Sequence, residues 1–153
     1  LNYKTIKDRF DIFRKKIALF LENEYNHSIK DYNEYEEFYY IKEREKKKKK
    51  KSLSEAINIM GFYSNEKMYT LLMPKIGRRA FDIEDGFIQY LNWNKIHSLN
   101  SHQTNLNIFW KFLEDNLKKY KGFEEDNFFY YLKESEFKFN YTKDEQIEIL
   151  RNL

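Results

Sequence analysis

The sequence predicts an all-α fold of seven or eight short helices. Three observations lead there. Apolar residues recur at spacings of three and four in most segments. Helix-start residues such as Ser, Thr, Asp and Asn precede several of those segments. No segment shows a strand-like alternation of useful length.

The first helix is expected over residues 4–21, "KTIKDRFDIFRKKIALFL", where Ile6, Phe10, Phe13, Ile17 and Leu21 share one face. Residues 22–28, "ENEYNHS", read as a polar loop. A second helix is expected over 31–45, with Tyr32, Tyr35, Phe38, Tyr39 and Ile41 as its apolar positions. A third covers about 53–61 with Gly61 as its stop, and a fourth opens at a Ser64 cap, carries Met68, Leu71 and Leu72, and ends at Pro74. A fifth spans 84–93, and 92–105 is a polar connector. The sixth, 106–119, lines up Leu106, Phe109, Trp110, Leu113 and Leu117. The seventh is about 125–136. The eighth starts at Thr142 with Asp144 and Glu145 in its first turn.

The 153 residues suffice for one domain with a core, and a single domain over residues 1–153 is expected. Charged residues make up 35% and hydrophobics 41%, the ordinary range for a globular chain. Aromatics reach 19%, with 14 Phe and 13 Tyr. With abundant Lys, Asn and Ile, that excess is the composition an AT-rich genome encodes. A net charge of +3 is too small to imply nucleic acid. The absence of Cys removes disulfides and thiol chemistry and fits a reducing compartment, so a cytoplasmic location is expected. No apolar run approaches the ~20 residues of a membrane span. The chain opens with Leu1 rather than Met, as expected of a piece of a longer protein.

Lys46 to Lys51 is a run of six lysines. Charges so dense repel one another, which predicts a solvated linker; the same run would suit an acidic partner or anionic lipid. No catalytic constellation stands out, and no enzyme is expected. His27, His97 and His102 are too dispersed to hold a metal, and zinc without Cys is not expected. The pairs Glu36–Glu37 and Glu124–Glu125 are adjacent and point different ways on a helix. No cofactor is expected.

One short unit occurs three times: a polar loop, a single apolar residue, an acidic run and an aromatic helix start. Its copies are "SIKDYNEYEEF" (28–38), "AFDIEDGFIQYL" (80–91) and "GFEEDNFFYYL" (122–132). The unit resembles the EF-hand, whose 12-residue loop has an apolar residue at position 8 and an aromatic or leucine at position 13. Phe123 and Phe128 fit that separation, whereas Phe81 with Phe87, and Ile29 with Tyr35, run one residue late. "LSEAINIMGFYSNEKMYTLL" is similar to the join between two calmodulin hands.

The resemblance implies paired helix–loop–helix units without calcium. The third loop has Lys118, Tyr120 and Lys121 in ligand or glycine positions, and the second has Pro74, Arg78 and Arg79. Glu22, Glu24 and Asn26 are the only ligand-like set, with Asn33 in place of the bidentate Glu. By resemblance, the chain would be a calcium-independent interaction module. It would hold a partner helix in an aromatic groove formed by Met68, Leu72, Phe87, Trp93, Phe109, Trp110 and Phe129. Phe81 and Phe123 would be buried, each anchoring its loop against a neighbouring one, with Asp82 and Glu84 or Glu124 and Asp126 as helix caps.

Two other resemblances lead elsewhere. "IFWKFLEDNLKKYKGFEEDNFFYYLKE" (108–134) and "YSNEKMY" look like the PHIST family, the helical exported domain of malaria parasites. That implies export into a host cell and binding of adhesin tails or membrane-skeleton proteins. "DGFIQYL" is similar to the end of the EF-hand region in phosphoinositide-specific phospholipases C, which implies an accessory region of a larger enzyme.

Overall fold

The computed structural model describes residues 2–28, 34–41, 56–73, 105–120 and 123–153. Among these, the chain is mixed α and β, not all-α. It forms α1 (Tyr3–Ser28), β1 (Glu34–Tyr40), β2 (Ile57–Ser64), β3 (Lys67–Leu72), α2 (Asn105–Lys118), a 3-10 turn (Glu125–Asn127), α3 (Phe128–Asn140) and α4 (Lys143–Asn152). The strands make one antiparallel sheet in the order β1-β2-β3.

Three expected helices are therefore strands. In β1, "EYEEFYY", the aromatics at 35, 38 and 39 have helical spacing, yet Tyr and Phe also favour a pleated, half-buried surface. Register places Phe38 opposite Ile59 and Tyr40 opposite Ile57, so the inward residues recur at every second position. In β2, Ile57, Ile59, Gly61 and Tyr63 share that face. Gly61 is not a helix stop. It sits mid-strand because the Trp110 indole lies over it: a Cβ there would be 2.6 Å from the ring. Trp110 cannot easily yield, since it stacks on Phe38 at 4.7 Å with an interplanar angle of 6°.

The expected Ser64 cap is instead the last residue of β2. Asn65 and Glu66 both have positive φ, 50° and 63°, between the paired Ser64 and Lys67. Two such residues are the signature of a two-residue type I′ hairpin. Asn is at home there and Glu is not, which is why "SNEK" resembles a capped helix start.

The expected helices at the two ends of the chain do form. α1 continues seven residues beyond Leu21 through the segment expected as a polar loop, so the first seven positions of the expected first EF-hand loop are helical. α4 opens with a reciprocal capping box between Thr142 and Glu145. Before α3, however, Glu124 has extended backbone and no side-chain cap bond, so it is not the expected cap. Phe123 is half-buried rather than buried, and packs on Phe128 and Tyr131 of the helix that follows it. An all-α, calmodulin-like architecture is thus not what these residues build. The second loop, the fifth helix, Phe81 and Lys46 to Lys51 lie outside the described residues.

The main core joins one face of the sheet to α2 and α3. It contains Ile59, Met68, Phe109, Leu113, Phe128 and Leu132, all at 1% exposure or less. A smaller core of Ile17, Leu21, Phe137 and Tyr141 joins α1 to α3, with Ile149 and Leu150 of α4 packed against it. Among the described residues no helix is long and apolar enough to cross a membrane.

Two substitutions test this account. Glu66→Gly relieves the left-handed strain and should stabilise by about 1 kcal/mol, raising Tm by about 2–4 °C. Gly61→Ala must displace Trp110 and should destabilise by about 1–3 kcal/mol. Thermal melts with opposite signs are expected; a stabilising Gly61→Ala would show that α2 does not press on β2.

Candidate functional site

α3 is enclosed on three sides, and each side uses a different part of "FFYYLKESEFKFN". At about 100° per residue, Phe128, Leu132, Ser135 and Phe139 face α2 and the sheet. Lys133, Glu136 and Asn140 form a second stripe, and Glu134, Phe137 and Lys138 a third. Four consecutive polar residues, Lys133, Glu134, Ser135 and Glu136, are consequently buried.

The second stripe runs along the open edge of β3. The Met68 N–H donates to Asn140 Oδ1 at 2.7 Å, and Asn140 Nδ2 donates to the Met68 carbonyl at 2.7 Å. Two residues on, the Thr70 N–H and hydroxyl both donate to Glu136 Oε2, at 3.2 and 2.5 Å. Lys133 Nζ donates to the Thr70 carbonyl at 2.6 Å and to Glu136 Oε2 at 3.0 Å. The spacing works because four helical residues rise about 6 Å and two strand residues about 6.8 Å. The side chains of α3 thus do what a fourth strand would do, and the edge is covered.

The third stripe meets α1. Arg14 Nε donates to Glu134 Oε2 at 2.6 Å, Lys138 Nζ reaches Glu134 Oε1 at 2.8 Å, and the Tyr120 hydroxyl donates to the same oxygen at 3.0 Å. The Arg14 guanidinium also lies over the Tyr131 ring, 4.4 Å from its centroid. Burial alone would raise the Glu134 carboxyl, but the bonds from Lys138 and Arg14 outweigh it and hold it below its ordinary value. Glu136 goes the other way: full burial pushes its carboxyl up against the pull of Lys133 and Thr70.

Beside this ion-pair group an apolar groove opens between α1, α3 and α4, with a volume of about 540 Å³. Ile17 and Phe137 form its buried floor. Its walls are Phe10 and Phe13 from α1 and Ile147 and Leu150 from α4. Phe10 is 54% exposed, Phe13 46% and Ile147 50%, so the walls stand open to solvent. The stripe continues towards the start of α1 through Ile6 and Tyr3, both exposed. Arg14, Lys138 and Arg151 are the cations that line the groove.

The sequence-predicted site residues fall elsewhere. Met68, Phe109 and Trp110 are committed to the main core, and Leu72 is partly exposed near the end of β3. Phe129 is partly buried on the same side of α3 as Lys133, whose ammonium lies over its ring, and is edge-on to Tyr130. Phe87 and Trp93 lie outside the described residues. Glu22, Glu24 and Asn26 sit within α1, where Glu24 points away from the other two, so they do not converge. Among the described residues no cluster of His, Asp and Glu could hold a metal. The groove residues Phe10 and Phe13 are in the sequence as part of the first apolar stripe. That stripe shows helix and face; only the packing among the described residues shows that its first half stays exposed.

The two carboxylates have opposite pH signatures, each measured from an ordinary value of 4.5. Glu134, shifted down, stabilises the fold above that value, and the contribution is lost as pH falls through its folded value. Glu136, shifted up, contributes fully below 4.5, and its contribution is lost as pH rises through its folded value. Glu136→Gln removes the second dependence. The urea midpoint of Glu136→Gln relative to the parent should therefore rise between pH 4.5 and neutrality; a difference independent of pH would show that the Glu136 carboxyl is not perturbed. No family model matches the chain, nor does any curated protein or solved structure, and nothing ties it to an EF-hand, calmodulin-like or malaria-parasite source.

Proposed function

We propose that this chain is a protein-interaction module, not an enzyme, and that it docks the apolar face of a partner helix in the groove between α1, α3 and α4 without calcium. The observation that carries this reading is the open apolar stripe: Phe10, Phe13 and Ile147 stand about half exposed beside a buried apolar floor. Large aromatics grouped around a groove mark interaction sites rather than ordinary surface.

The shape favours a helix over a small ligand. Ligand pockets bury about 70–90% of what they hold, and walls half open to solvent do not enclose a molecule that way. From Tyr3 to Ile17 the stripe runs about 21 Å, the length of about 14 helical residues. A helix laid in the groove would place its own i, i+3, i+4 and i+7 side chains along that line. The buried titratable groups nearby are bound to one another and to backbone, which supports binding rather than catalysis.

A synthetic amphipathic peptide of about 14 residues, with leucines at those positions and serine or glutamine elsewhere, is the probe. Amide chemical-shift changes are expected in the first half of α1 and in α4, unaltered by calcium or a chelator. Phe13→Ser and Ile147→Ser should each weaken binding about tenfold while leaving Tm within a few degrees. Shift changes centred on other elements, or none at millimolar peptide, would overturn the reading.

A further inference from the structure

We infer that the groove's partner is an acidic amphipathic helix of another protein. This rests on the groove being a docking site, and it names the chemistry that the site selects.

The argument comes from how charge is arranged around the two wall helices. In α1 the stripe Ile6, Phe10, Phe13 and Ile17 has Lys7 and Arg14 on one flank and Arg9 and Lys16 on the other, each about 70–90° from its centre. Asp8 falls about 170° away, on the far side, whereas Asp11, about 130° away, bonds Arg14 at 3.0 Å. In α4, Lys143 falls on the line of Ile147 and Leu150 and Arg151 about 70° to one side, while Glu145 and Glu148 point away by about 130–170°. Asp144 borders the stripe on the same side as Arg151, about 90° from its centre.

The floor is no more acidic. Glu134 is the carboxylate that lines the groove; Arg14 and Lys138 both hold it and Asp11 also bonds Arg14, so these four groups balance and the positive border comes from Lys7, Arg9, Lys16 and Arg151. The chain as a whole is only +3, so a cationic border on both walls is a local feature and not the average surface. Cations around an apolar stripe attract and orient an acidic partner, chiefly through association rate and specificity.

An anionic membrane would also meet cations, but the shape argues against it. The apolar floor, Ile17 and Phe137, is 6% and 1% exposed and lies between two helices, where a flat bilayer surface cannot reach. An interfacial helix instead presents its apolar face outward.

The test uses three peptides with one leucine stripe and glutamate, serine/glutamine or lysine at the polar positions. Phosphatidylcholine vesicles containing phosphatidylserine serve as a fourth probe. By fluorescence anisotropy, the glutamate peptide should bind about tenfold tighter than the lysine peptide at about 0.15 M salt, with the gap nearly closed at about 1 M. The double variant Arg9→Glu, Arg151→Glu, at two exposed positions, should reverse the order. Equal affinity for all three peptides, or preference for lysine, would overturn the acidic partner while leaving the docking groove in place. Failure of all three would remove the groove reading and this inference together. Vesicle binding without peptide binding would make the stripe a membrane surface and overturn the inference.

Discussion

The rest of the fold depends on the contact between α3 and the edge of β3. A three-stranded sheet leaves the outer amides and carbonyls of its edge strand open to solvent or to another chain. Here Asn140 serves both backbone groups of Met68, and the Lys133–Glu136 pair serves those of Thr70. Once that stripe is fixed along the strand, the rotation of α3 about its axis is fixed too. Phe128 and Leu132 then face the main core, and Glu134, Phe137 and Lys138 face α1.

That arrangement is costly to break in parts. Lys133 and Glu136 are almost wholly buried, and removing one partner of such a pair strands the other's charge, at about 3–5 kcal/mol. The Glu136 carboxylate takes three donors on one oxygen, while among the described residues its Oε1 has no hydrogen-bond partner. An apolar substitute for the pair would pack but could not bond the Thr70 backbone. The interaction therefore secures geometry more than net stability. The groove is a consequence of that geometry: α3 presents Phe137 to α1, α4 packs Ile149 and Leu150 against the smaller core, and the first half of the α1 stripe extends past the end of that core.

How much was legible in the sequence varied with the physical signal. α1, α2 and α4 were readable because long apolar stripes at helical period, or a Thr-x-x-Glu box, have few other solutions. The strands were not. "EYEEFYY" and "INIMGFYS" are short and aromatic, and such runs fit either period. The hairpin was hidden because its turn uses Asn65-Glu66 rather than the usual Asn-Gly. The burial of "KESE" was not legible, because a helix buried on three sides, partly by polar contacts, has no periodic signature. The apolar groove was half legible: Phe10 and Phe13 were placed on the right face of the right helix, but the sequence does not say where the packing against that face stops.

Hydrogen exchange tests the central contact most directly. The Tyr69 and Leu71 amides face β2 in the register of the hairpin, while those of Met68 and Thr70 face outward to α3. If α3 replaces a fourth strand, the Met68 and Thr70 amides should be protected to the same degree as Tyr69 and Leu71, and Asn140→Ala should release Met68 first. Rapid exchange at Met68 and Thr70 in the parent protein, as at a solvent-open edge, would contradict the account.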